Sequence, residues 1–287
     1  MIRFTGEEAE TSMLRITALM DNRNSEHKGL VAEHGLSYAV AYGDRRMLFD
    51  CGASAHSIEN ARRLGIRLDR LDAVILSHSH YDHAAGYRDL IERGLGSERL
   101  YTGPCFFEPK YASAEAKYTD LSAGFGEDFL KAHGIRHQVV QGTEEIFPGV
   151  WVVSGFPRVY GFETIPRRFV RRREDGFIPD DFCDEVCLAL RGGEGLTVLV
   201  GCSHPGILNI VTHVSQTLGL PVRAVYGDTH LTEADADRVE KTIRILKETG
   251  VSVLGLSHCS GDEACRILQQ HTDITSCWLG VGDTVFD

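Results

Sequence analysis

The apolar run Leu71-Asp72-Ala73-Val74-Ile75-Leu76 leads straight into Ser77-His78-Ser79-His80-Tyr81-Asp82-His83. A strand over 71–77 that ends in three imidazoles and a carboxylate must end at a pocket rather than in a core. Side chains alternate along an extended segment, so His78 and His80 point the same way. Asp82 and His83 lie just past the strand end and face a second point in space. This is a geometry for two metal ions, one at each pair. Neutral imidazole and carboxylate are the ligands that zinc, iron and manganese accept most readily.

Composition narrows the class. The chain has 287 residues, 43% hydrophobic and 25% charged, which suits a single α/β domain over 1–287. A net charge of −11 disfavours nucleic acid as a partner, because neutralising phosphates needs a basic surface. A small anionic substrate stays compatible, since bound metal supplies local positive charge. No apolar stretch approaches a membrane span, and the first residues lack a signal-peptide core, so the expectation is a cytoplasmic protein with no membrane partner. Residues 1–12 read as a polar extension if Met13 is the ancestral start. Oligomeric state stays open, with a homodimer among the options. The eight cysteines form no C-x-x-C pair and read as free thiols, Cys183 and Cys187 among them.

Periodicity outlines the rest. Residues 14–20, 38–42 and 46–50 read as strands, the last two as a hairpin around Gly43-Asp44, followed by a helix over 54–64. In the second half, strands are expected over 150–153, 186–190, 196–200, 222–226 and 251–256, with a last one near 277–285. Ile207, Val211, Val214 and Leu218 mark an amphipathic helix. Ala236, Val239, Ile243 and Leu246 mark another, capped by Thr232 and stopped at Gly250, before a short helix near 262–270. Two sheets with helices outside give an αββα sandwich. The stretch 155–185 lacks periodicity and reads as a long loop or lid.

A two-metal site needs further ligands, and three strand ends supply candidates. His204 follows Leu199-Val200-Gly201-Cys202-Ser203, Asp228 follows Ala224-Val225-Tyr226-Gly227, and His258 follows Leu254-Gly255-Leu256-Ser257. His27, His56, His133, His137, His213 and His271 lack ligand spacing and read as surface or packing residues.

The order His78, His80, Asp82, His83, His204, Asp228, His258 resembles the metallo-β-lactamase superfamily, and Phe49-Asp50-Cys51-Gly52 is similar to its early Asp motif. Three segments resemble one branch of that superfamily: Ala32-Glu33-His34-Gly35-Leu36-Ser37, Gly201-Cys202-Ser203-His204-Pro205-Gly206 and His258-Cys259-Ser260-Gly261. That branch is labelled dihydropterin-ribofuranosylaminobenzene 5′-phosphate synthase-like, or metal-dependent hydrolase. The resemblance implies one ion on His78, His80 and His204, a second on Asp82, His83 and His258, and Asp228 as the bridge. Zinc is the ion it implies first, with manganese or iron as alternatives. Gly227-Asp228-Thr229-His230 departs from the narrow branch and looks like the thioesterase and lactamase branches.

The chemistry expected is hydrolysis of a small ester, phosphodiester, lactone or thioester by hydroxide held on the metals, which lower the pKa of water to about 7. Asp82 would orient the nucleophile, Asp50 would hold a ligating His from behind, and His230 would protonate the leaving group. His34 and the basic run with Arg167 and Arg168 would meet an anionic substrate. A pterin-pathway transferase using a phosphoribosyl donor is the alternative, and a di-iron redox protein the next.

Overall fold

The computed structural model describes residues 14–24, 26 and 29–287. The expected polar extension 1–12, the start at Met13 and the placement of His27 lie outside them. Two seven-stranded sheets face each other. One runs Thr284–Phe286, Leu14–Met20, Ser37–Tyr42, Arg45–Phe49, Ala73–Ile75, Arg99–Thr102, Arg136–Val139. The other runs Thr275–Trp278, Val253–Leu256, Val222–Gly227, Leu196–Val200, Val186–Arg191, Val150–Ser154, Thr143–Phe147.

Strand alternation sorts the side chains into three cores. Met47 and Phe49 join Leu188 and Leu199 in the core between the sheets. Leu48, between them in sequence, points the other way, onto Ile58, Ala61 and Leu90 of the outer helices. Val198 and Val200 likewise face outward, against Ile207, Val211 and Val214 and the second helix's Val239, Ile243 and Leu246. The layers are therefore helix, sheet, sheet, helix, the αββα sandwich expected of the sequence.

Several details differ from expectation. The strand before the His motif is only Ala73–Ile75, so His78 and His80 lie on the loop beyond it. The helix Ala236–Glu248 is capped by Asp235, whose side chain accepts from Arg238 N; Thr232 sits instead in a single 3-10 turn. The last strand is two: Thr275–Trp278 edges the second sheet and Thr284–Phe286 edges the first, so the chain end ties the layers together. The stretch 155–185 is not a bare loop. Phe169–Arg173 and Gly176–Pro179 form a hairpin that joins Lys110–Ala114 and Lys117–Asp120 in a separate four-stranded sheet. Lys110–Ala114 and Phe169–Arg173 are the central pair there, and sequence-distant pairing of this kind leaves no local periodicity.

The topology fixes where a site can form. Leu196–Val200, Val222–Gly227 and Val253–Leu256 run parallel, so their carboxyl ends share one edge. Arg45–Phe49 and Ala73–Ile75 are parallel in the first sheet. Loops leaving these ends carry Asp50, the His motif, His204, Asp228 and His258, on the side of the sheets where open α/β folds bind ligands.

Candidate metal centre

The His motif folds onto itself at the start of a short helix, Tyr81–Ala84. The rings of His78 and His80 come to 4.7 Å between centroids, and His78 to His83 to 4.3 Å. His204 reaches both from the second sheet, at 5.0 Å from His78 and 5.2 Å from His80. His258 completes the ring from the next loop, 5.3 Å from His83.

Three of the imidazoles are oriented from behind through Nδ1. His78 Nδ1 contacts Ser77 Oγ at 2.9 Å, His83 Nδ1 contacts Asp50 Oδ2 at 2.7 Å, and His258 Nδ1 contacts Asn22 Oδ1 at 2.8 Å. Nε2 of His83 then meets Cys202 Sγ at 3.1 Å and Nε2 of His258 meets Asp82 Oδ2 at 3.1 Å, inside the cluster. His78 Nε2, His80 Nε2, both nitrogens of His204 and both oxygens of Asp228 are buried with no hydrogen-bond partner. Buried polar atoms are otherwise almost always paired, at a cost of about 1–3 kcal/mol each when they are not. A cluster of lone pairs and a carboxylate without donors is the arrangement a cation satisfies. The donors group accordingly: His83, Cys202, Asp228 and His258 have one donor atom each within 4.8 Å of one another, as do His78, Cys202 and His204, and His34, Asp82 and His258. The residues present therefore fit divalent metal.

Electrostatics point the same way for three of the imidazoles. Burial presses His78, His80 and His204 well below the usual imidazole range, leaving them neutral with lone pairs free. Burial, followed by the surrounding Cys259, Asp21, Asp50 and Asp82, pushes Asp228 far above the usual carboxylate range. Burial alone would raise Asp82 too, but hydrogen bonds from His258 and His34 hold it well below normal. Burial would lower His83, yet the charge and hydrogen bond of Asp50 outweigh it and lift the ring to about 9.

Buried carboxylates hold the loops that carry these groups. Asp50 accepts from Ser77 N at 2.7 Å, Asp184 from Ser79 N at 2.9 Å, Glu185 from Ser203 N at 2.7 Å, and Asp21 from His258 N at 2.6 Å. Lys110, itself buried, neutralises Asp184 at 2.5 Å and lies 4.5 Å from the ring of Phe182. Phe182 stacks on His204 with centroids 3.7 Å apart. Sequence reasoning missed Asp21, Asn22, Lys110, Phe182, Asp184, Glu185 and Cys202. The signal available was weak: Asp21 directly follows an apolar strand and Asp184-Glu185 directly precede one.

The other anticipated residues sit at the rim. His34 Nε2 lies 3.2 Å from Asp82 Oδ2 with its side chain 58% exposed. His230, in the left-handed backbone region at φ 49, packs 4.5 Å from His204, and burial lowers it to about 4. Arg167 is exposed. Arg168 departs from expectation: its guanidinium forks onto Glu233, with Nη1–Oε2 at 2.6 Å, and lies over Phe169 at 4.3 Å. Arg171 and Arg173 are also paired, with Glu108 and, for Arg171, Asp181. The basic run is thus spent largely on protein carboxylates rather than held free for a substrate. His56, His133 and His271 serve Glu33, the Phe129 carbonyl and Glu240. No helix among the described residues is long and apolar enough to cross a membrane.

The metallo-beta-lactamase superfamily profile matches residues 30–98, which span the early Asp and the His motif. A 7,8-dihydropterin-6-methyl-4-(beta-D-ribofuranosyl)-aminobenzene-5'-phosphate synthase of Methanocaldococcus jannaschii is 29% identical over 263 residues, 88% of this chain and 89% of that protein. Among solved structures, Tm1679, described as a metal-dependent hydrolase of the beta-lactamase superfamily, is 28% identical with a TM-score of 0.81, covering 95% of this chain and 98% of that one. Zn(2+)-bound PqqB from Methylobacterium extorquens shares the fold at 14% identity and a TM-score of 0.58, covering 94% of this chain and 99% of its own.

Proposed function

We propose that this chain, which matches the metallo-β-lactamase superfamily model over residues 30–98 and is similar to relatives across most of its length, is a two-metal hydrolase cleaving an ester, phosphodiester, lactone or thioester in a small anionic molecule. The observation that carries this is the set of inward, unpartnered donors on His78, His80, His204 and Asp228. His78, His80 and His204 would hold one ion; Asp82, His83 and His258 the other; Asp228, which groups with His83, Cys202 and His258, would bridge to the first. Zinc suits this donor set best, with manganese or iron next. Divalent ions there supply Lewis acidity toward a carbonyl or phosphoryl oxygen and acidify water.

The chain's own groups do the rest. Asp50 fixes the His83 proton on Nδ1 and so turns Nε2 inward. Asn22 does the same for His258. His34, exposed and hydrogen-bonded to Asp82, meets the substrate on one side of the mouth. His230, beside His204, meets the leaving group on the other. The aromatic wall of Phe169 and Phe182 keeps water from the back of the imidazoles.

The test is turnover of bis-p-nitrophenyl phosphate, a lactone and a thioester by chelated and zinc-reconstituted protein. Metal-dependent turnover without a second substrate supports hydrolysis, and Asp228→Ala abolishes it. One observation favours a second reading, a transferase of the pterin pathway: a synthase matches across 88% of the chain. That reading predicts a silent panel and turnover only when a phosphoribosyl donor and an aromatic acceptor are both present.

A further inference from the structure

We propose that Cys202 supplies a sulfur donor to both halves of the metal centre; the inference rests on the two-metal reading above. Cys202 links the two larger clusters of donors, grouping with His83, Asp228 and His258 on one side and with His78 and His204 on the other. It lies 3.1 Å from His83 Nε2, the nitrogen that Asp50 leaves facing inward. A thiol buried only for packing would meet apolar atoms; this one meets a ring nitrogen and a second thiol, Cys259 Sγ, at 3.2 Å.

Its position is built. Gly201 packs so tightly on the His motif that a Cβ there would come to 2.1 Å from Ser77 Oγ. Only glycine lets the two loops approach this closely, and the next residue is thereby carried into the centre. The backbone on either side is pinned, Gly201 O by Asp228 N at 3.1 Å and Ser203 N by Glu185. Cys259, partly exposed, belongs to none of the donor sets and is the natural control.

When sulfur joins an ion, the S–H bond breaks, the proton passes to solvent, and the electron pair left on sulfur makes the new bond. A thiolate among imidazoles and carboxylates shifts preference toward zinc and cobalt and away from manganese and magnesium. Cobalt reconstitution of the full chain, under reductant, reads this directly. The wild type is expected to show visible d–d bands from the formed centre plus a near-ultraviolet sulfur-to-cobalt charge-transfer band. Cys202→Ser keeps the d–d bands and loses the charge-transfer band, while Cys259→Ser keeps both.

Wild-type d–d bands without charge transfer would overturn the sulfur donor and leave the nitrogen–oxygen centre standing. Charge transfer lost in Cys259→Ser but kept in Cys202→Ser would overturn it as well. No cobalt spectrum at all would remove the centre itself. If Cys202→Ser does not fold, zinc X-ray absorption of the wild type decides: a sulfur shell at about 2.3 Å supports the assignment, and shells of nitrogen and oxygen alone refute it.

Discussion

Asp50 and Asn22 each touch one nitrogen of a histidine and leave the other for the centre, and they differ in charge. Asp50 also holds Ser77 N and Ser77 Oγ, so it orients the ring and anchors the loop at once. Asp50→Asn is expected to weaken zinc binding by about 10–100-fold, measured by competition with a chromophoric chelator. Asn22→Leu, which removes the partner of His258 Nδ1 without touching the His motif, should fall at the low end of that range. The His motif itself was legible because its residues are neighbours and strand periodicity orients them. The residues that brace it were not. Asp184 reaches Ser79 across 105 positions and Asp21 reaches His258 across 237, and no local spacing encodes such contacts.

The amphipathic helix Ile207–Leu218 was readable at element scale from its apolar spacing, yet the group that finishes its N-terminus was not. Glu163, from the stretch read as a lid, accepts from Leu208 N and Asn209 N at 3.0 Å each. Burial raises its carboxyl from 4.5 to about 7, against the pull of those two backbone donors. Between these values the folded protein keeps a proton that the unfolded chain releases. Stability therefore falls as pH rises from about 4.5 to about 7 and levels off above. The difference in urea-unfolding free energy between wild type and Glu163→Gln should change by about 2–3 kcal/mol between pH 4.5 and pH 8, with only the wild type carrying this slope. Equal pH dependence in the two proteins would show that Glu163 titrates normally. The hairpin Phe169–Arg173 and Gly176–Pro179 stayed hidden for a related reason: its pairing partner is Lys110–Ala114, far upstream. Arg168, just before it, and Arg173 within it belonged to a run that read as an anion clamp, but the fold brings Glu233 and Glu108 beside them.

The whole molecule divides its donors between its two sheets. The first sheet's loops bring His78, His80, Asp82 and His83, and the second's bring His204, Asp228 and His258, so bound metal would join the two halves. Sandwich and layer order were legible because strands and helices alternate with clear periods; the crossing of the chain end from one sheet to the other was not, as it depends on which edge is free. Removal of metal should leave buried donors unpaired and lower the thermal midpoint. Excess zinc at about a thousand times its Kd should restore about 4 kcal/mol, read by calorimetric scans with and without chelator. The most direct test is a zinc titration of the chelated full-length protein, followed by isothermal calorimetry, in wild type and Asp228→Ala. Two equivalents in the wild type and at most one in the variant are predicted; a wild type that takes up no zinc would contradict the metal centre and the function built on it.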